Sequence, residues 1–189
     1  MMLLFFFISF LHAHVLVVEQ KPDFIQQAQI LNCVKESEFV GCLASLQGVL
    51  SVDFYPSAQV SSLVIKPRKP IARWGAGFVD SSGQWFQVPL TDDNRGLTVL
   101  DVKEPDLYDA IVLLSRFTTR HMQLTYVEKT AGGQWQVLIQ DGPLLYLGSR
   151  PSDPMGGVEQ FFKSHPDALR LAGQYFDFRN PEMVARGRR

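Results

Sequence analysis

The sequence predicts an α+β chain: a β-α-α-β-β segment first, then a mainly antiparallel β domain with two helices. Three observations predict this. Apolar residues recur at spacings of three and four only in short windows, near residues 24–31, 39–47, 107–117 and 158–165. Elsewhere, short runs rich in β-branched and aromatic residues alternate with turn residues. Pro67 and Pro70 separate the two patterns. Each fixes its own φ and biases the preceding residue toward extended backbone, so the seam reads as a stiff elbow.

The elements follow in order. The first eighteen residues are apolar except for Ser9, His12 and His14, and no Lys or Arg occurs before Lys21. The expectation is a membrane segment over 1–18, of which only part is recorded, because a span needs about 20 apolar residues. Residues 14–19 read equally as a strand or as the end of that segment. After Pro22 and Asp23, the spacing of Phe24, Ile25, Ala28 and Leu31 predicts a short helix that Asn32 interrupts. A second helix is predicted from Lys35 through Phe39, Val40, Leu43 and Leu46, closed by Gly48. Residues 49–54 and 60–66 then pair across a turn at 55–58, with Val52 and Phe54 on one face.

Beyond the elbow, residues 71–74 re-enter a strand, 80–83 turn, and 84–88 return. A short strand over 97–100 precedes a helix opened by Pro105, with Leu107, Ala110, Ile111, Leu114 and Phe117 on its apolar face. Two linked hairpins follow. Met122, Leu124 and Tyr126 share a face, Gly132-Gly133 turn the chain, and Trp135, Val137 and Ile139 alternate. Asp141-Gly142 turn again into 144–147. Val158, Phe161, Phe162 and His165 make a helical stripe. Residues 174–179 form the last strand, with Phe176 and Phe178 inward, and 180–186 continue it; 187–189 are expected to be a frayed basic end.

Composition narrows the function. At 189 residues with 46% hydrophobic and 20% charged side chains, the chain is ordinary for one large or two small folded domains. A net charge of −1 gives no bulk attraction to nucleic acid, so no nucleic-acid partner is expected. There is no phosphate loop, no dinucleotide fingerprint and no nucleophile elbow. His121 and His165 stand apart from other ligand types, and His12-x-His14 lies in the apolar terminus, so no metal and no cofactor are expected. Asp92-Asp93 reads as a solvated turn, and Trp74, Trp85, Trp135 and Phe86 as packing residues. Lys66, Arg68, Lys69 and Arg73 read as a solvated linker face. If Cys33 and Cys42 shared one helix, about 13 Å of rise would separate them. That is too far to bridge, so both are expected to be small buried apolar residues.

Taken in order, these residues resemble the FtsQ/DivIB cell-division family over about 15–186. Pro70-Ile71-Ala72-Arg73-Trp74 followed by Asp80, Gly83 and Phe86 matches the family's elbow. Trp135, Leu138, Leu147, Gly148, Phe162, Asp177 and Arg179 match its C-terminal β domain. The sequence departs from the pattern at Asn180, where the family commonly has an aromatic, and at Glu182-Met183, where it has a glycine turn. The resemblance implies a POTRA-like module over 19–69 and an FtsQ-type β domain over 70–186. It implies a single-pass inner-membrane protein with its bulk in the periplasm, at the division septum. Such a protein would be a non-catalytic divisome scaffold that binds FtsB-like and FtsL-like coiled-coil partners and contacts other divisome members through its POTRA-like half. The elbow would comprise Pro67, Pro70, Arg73 and Trp74. The partner edge would comprise Asp177, Phe178, Arg179, Asn180, Glu182, Met183 and Val184, offering unpaired backbone to an incoming strand. The alternatives are a POTRA-bearing export or outer-membrane assembly factor and a secreted periplasmic enzyme.

Overall fold

A computed structural model describes residues 15–20, 25, 27–57, 60–149, 155–180 and 183–188. The chain forms two compact units. One comprises the residues up to Lys69 together with 86–89; the other comprises Pro70–Trp85 and Leu90–Arg189. Residues 1–14 of the expected membrane segment lie outside the described residues, and its last four, 15–18, belong to a strand. Among the described residues no helix is long and apolar enough to cross a membrane.

The first unit runs β1 (Val15–Gln20), α1 (Gln27–Val34), α2 (Phe39–Ala44), β2 (Val49–Tyr55) and β3 (Val60–Pro67). Its sheet has the order β1-β3-β2, with β1 parallel and β2 antiparallel to β3. Val52 and Phe54 do face the core, but so does Val49, three residues from Val52. A one-residue bulge reconciles the two: Val49 pairs with Pro67 and Ser51 with Lys66, which leaves Leu50 unpaired and exposed. Among the described residues its core includes Ile25, Ile30, Cys33, Val34, Leu43, Val49, Leu63 and Ile65.

The helices here differ from expectation in one consequential way. α1 runs through Asn32 to Val34, and α2 starts at Phe39 rather than Lys35. Between them Lys35 and Glu36 donate their amide N–H groups to Asn32 and Cys33 at 3.3 and 2.9 Å, and the chain reverses. Cys33 and Cys42 therefore lie on different helices, with Cα atoms 5.4 Å apart, and form a disulfide. The rise of about 13 Å applies only along one continuous helix. Across this reversal the two cysteines, expected to be separate buried apolar residues, are bonded to each other. α2 also ends at Ala44, before Gly48, which takes a φ of +79° at the entry to β2.

After β3 come β4 (Ala72–Trp74), β5 (Gly77–Val79), β6 (Trp85–Phe86, of which only Trp85 belongs to the second unit), α3 (Asp92–Arg95) and β7 (Thr98–Asp101). The second unit continues with α4 (Leu107–Thr118), β8 (Leu124–Lys129), β9 (Trp135–Ile139), β10 (Leu144–Gly148), α5 (Met155–Ser164), β11 (Gln174–Asp177) and β12 (Ala185–Arg188). The nine-stranded sheet has the order β12-β11-β10-β9-β8-β7-β4-β5-β6 and is mostly antiparallel. Its parallel pairs, β4–β7, β7–β8 and β10–β11, need crossovers, and α4 and α5 supply the last two. The strand returning beside β4 is β5, a short strand that the sequence reading passed over. The expected strand over 84–88 reduces to the two residues of β6.

One face of this sheet and the stripes of α4 and α5 bury Trp135, Phe117, Phe162, Phe176 and Leu145 among others. The alternation holds on β9 but breaks on β8, where a register shift between Leu124 and Tyr126 puts Leu124 and Val127 inward. Tyr126, expected beside Leu124, faces the other way and donates its hydroxyl to Asp101 at 2.6 Å. Asp92-Asp93 opens α3 rather than a turn, and Asn94 Oδ1 accepts the Thr91 N–H at 2.8 Å to cap it. α4 ends in a Schellman motif. Met122 and His121 donate to the Phe117 and Thr118 carbonyls at 3.1 and 3.0 Å, with His121 at a φ of +58°. Trp74 packs on the core and donates to Val102 O at 2.9 Å, whereas Trp85, expected as a packing residue, is 36% exposed.

Candidate partner-binding edge

The sheet register decides which backbone is open to a partner. β11 is paired on both sides: Tyr146 of β10 lies beside Asp177 on one, and β12 closes the other from Gln174↔Arg188 to Asp177↔Ala185. Asp177 is thus one strand inside the edge, and the side of β11 expected to be open is occupied. Phe178 is 5% exposed and its ring lies 5.5 Å from that of Phe161, so its side chain is committed to the core. Its N–H donates to Tyr146 O at 2.8 Å. The edge strand is β12, which includes Gly187 and Arg188 of the segment expected to fray. Met183 and Val184, just before it, are 68% and 39% exposed. Glu182 lies outside the described residues.

Arg179, just past the end of β11, is exposed but tied to Asp177 two residues before it. Its Nε donates to both Asp177 oxygens, at 2.9 and 3.0 Å, and its guanidinium lies 5.5 Å from the centre of the Tyr146 ring. The Arg179 hydrogen bond holds the Asp177 carboxyl below its usual range. Asn180 accepts the Met183 N–H at 3.3 Å and starts the turn into β12.

Gly187 fixes how β12 docks. It pairs with Tyr175, and a Cβ there would fall 2.4–2.5 Å from the Tyr175 ring. The ring occupies the space of the missing side chain and packs edge-on against Tyr146 at 5.6 Å. Arg186 Nε reaches Gln174 Oε1 at 2.5 Å. The sequence reading ran the last strand on through Arg186 but assigned none of Ala185, Arg186, Gly187 and Arg188 to the partner edge. The available signal was the pair of arginines two apart, a period-two charge pattern typical of protected edges.

The elbow residues are placed as follows. Pro67 ends β3 opposite Val49, Arg73 sits in β4 between Phe78 and Val99, and Trp74 is bonded to Val102. Lys66 is not a simple solvated cation: its Nζ lies 2.6 Å from Asp53 Oδ2, and that hydrogen bond raises its pKa. Among the described residues no group of three or more His, Cys, Asp or Glu is arranged to hold a metal ion. The chain matches no protein-family model and no curated protein.

Proposed function

We propose that this chain is a non-catalytic scaffold of the FtsQ/DivIB type, with β12 as the strand to which an FtsB-like coiled-coil partner adds its own. The observation that carries the reading is the end of the large sheet. β12 has β11 on one side and no strand of the described chain on the other. Such an edge presents a row of backbone donors and acceptors that an extended peptide can pair with, while alternate side chains set register. Exposed Met183 and Val184 add apolar area beside it, and Arg186 and Arg188 add positive charge. The partner residues are accordingly Met183, Val184 and the backbone of 185–188, with Asp177 and Arg179 bracing the strand behind.

Two further features support the wider proposal. The order β-α-α-β-β, with a three-stranded sheet packed against two helices, agrees with a POTRA-like reading of the first unit. The disulfide agrees with a periplasmic location, since such bonds persist where thiols are kept oxidised. The apolar sequence before β1 would supply attachment to the inner membrane.

Proline substitution tests the edge. Neighbouring residues in a strand direct their N–H groups to opposite sides, so of Ala185→Pro and Arg186→Pro one removes an outward donor and the other an inward one. The outward variant should lose co-purification with the FtsB-like partner and keep its thermal midpoint. Retained binding by both variants would place the interface elsewhere.

A further inference from the structure

The cystine is buried asymmetrically. Cys33 is 2% exposed within the small core, whereas Cys42 is only half-buried at its margin. The residue before it on α2, Gly41, is exposed and has open space where a side chain would stand. The two bridged helices are eight and six residues long. Helices this short have little stability of their own in water. Leu43 and Cys33 are both buried in this core, Leu43 completely. The second unit has a separate core, and among the described residues it contains no cysteine.

We propose that the Cys33–Cys42 bridge is a thiol–disulfide exchange site, attacked at Cys42, whose reduction by a dithiol protein releases the order of the first unit and leaves the second folded. The chemistry is a two-electron exchange. A thiolate of the dithiol attacks Cys42 Sγ, the S–S bond breaks, and Cys33 leaves as a thiolate that takes up a proton. The second thiol of the dithiol then attacks the mixed disulfide. Cys42 is released as a thiolate and protonated, and the reductant departs as a disulfide. Attack in the other sense is disfavoured because Cys33 Sγ is enclosed by the core and an incoming thiolate needs access to its target. The partner class is a dithiol–disulfide oxidoreductase. The consequence is a gate: docking that uses the first unit depends on oxidation, and docking at β12 does not.

The test uses the full oxidised chain and two readouts. Brief exposure to glutathione, an acid quench and peptide mapping should find the mixed disulfide on Cys42 in about tenfold excess over Cys33. Full reduction with dithiothreitol should abolish amide-exchange protection across 27–67 and leave that of α4 and β8–β11 unchanged. The double variant Cys33→Ala/Cys42→Ala, without reductant, should show the same exchange pattern. Equal or reversed adducts would overturn the site of attack. Intact protection over 27–67 after reduction, or loss of protection in both units, would overturn the gate.

Discussion

The two units reach a stable core by different routes. The second buries a large apolar cluster that includes Trp135, Phe117, Phe162, Phe176 and Phe178, and it contains no cystine among its described residues. The first buries, among its described side chains, a cluster of aliphatic residues such as Ile25, Leu43, Leu63 and Ile65, and adds a disulfide between two short helices. Surface-to-volume scaling explains the contrast. A domain of this size buries too little apolar surface to offset its chain entropy comfortably, and a cross-link lowers the entropy of the unfolded state instead. In the chain-entropy account, a closed loop this short stabilises by about 3 kcal/mol. That is comparable to deleting one buried leucine side chain, so the first unit sits nearer its threshold.

The sharpest way to break this comparison is to make the same deletion in both cores. Leu63→Ala and Leu145→Ala each remove a fully buried side chain, from a strand of the small and the large sheet respectively. Each should cost about 2–5 kcal/mol. The first variant is expected to lose its unit's cooperative transition, followed by exchange or calorimetry. The second should shift its transition downward yet still fold. Two variants with equal shifts and intact transitions would show that the small core is not marginal.

Gly187→Val should have an intermediate effect, confined to one corner of the larger unit. A side chain there meets the Tyr175 ring, so β12 must lift or Tyr175 must rotate. Overpacking of this kind costs about 1–3 kcal/mol. The expected result is lost exchange protection at 185–188 with α4 unchanged; unaltered protection would mean the contact at Tyr175 is easily relieved.

The smallest effect is electrostatic. The hydrogen bond to Asp101 pushes the Tyr126 hydroxyl up to about 12. A raised pKa means that the folded state holds the proton more tightly. The resulting stabilisation is complete below the unfolded value near 10 and fades as pH rises toward 12. Ultraviolet titration should show one phenol ionising late, absent in Tyr126→Phe. Late ionisation that persists in the variant would assign the shift to another tyrosine.

Much of this fold was legible in the sequence because helix periodicity and turn chemistry are local. The α4 stripe from Leu107 to Phe117, the glycine turns and the inward Phe176 follow from spacing alone. What was hidden depended on small irregularities with non-local consequences. The bulges at Leu50 and between Leu124 and Tyr126 each reverse the alternation, so Val49 and Tyr126 end on faces that strict period two denies them. The Lys35–Glu38 reversal moved the cysteines onto separate helices and brought them together. The candidate edge was displaced by one strand because a Gly flanked by arginines resembles a frayed terminus. Only the pairing partner, Tyr175, reveals why a glycine is needed there.

Site-specific photocrosslinking tests the partner edge most directly. A photoreactive residue at Met183, Arg186 or Arg188 marks the β12 end of the large sheet, and one at exposed Trp85 marks its opposite end. With an FtsB-like coiled-coil partner present, crosslinks should form at the three β12 positions and not at Trp85. Crosslinks at Trp85, or only at positions in the first unit such as exposed Tyr55, would contradict strand addition at β12.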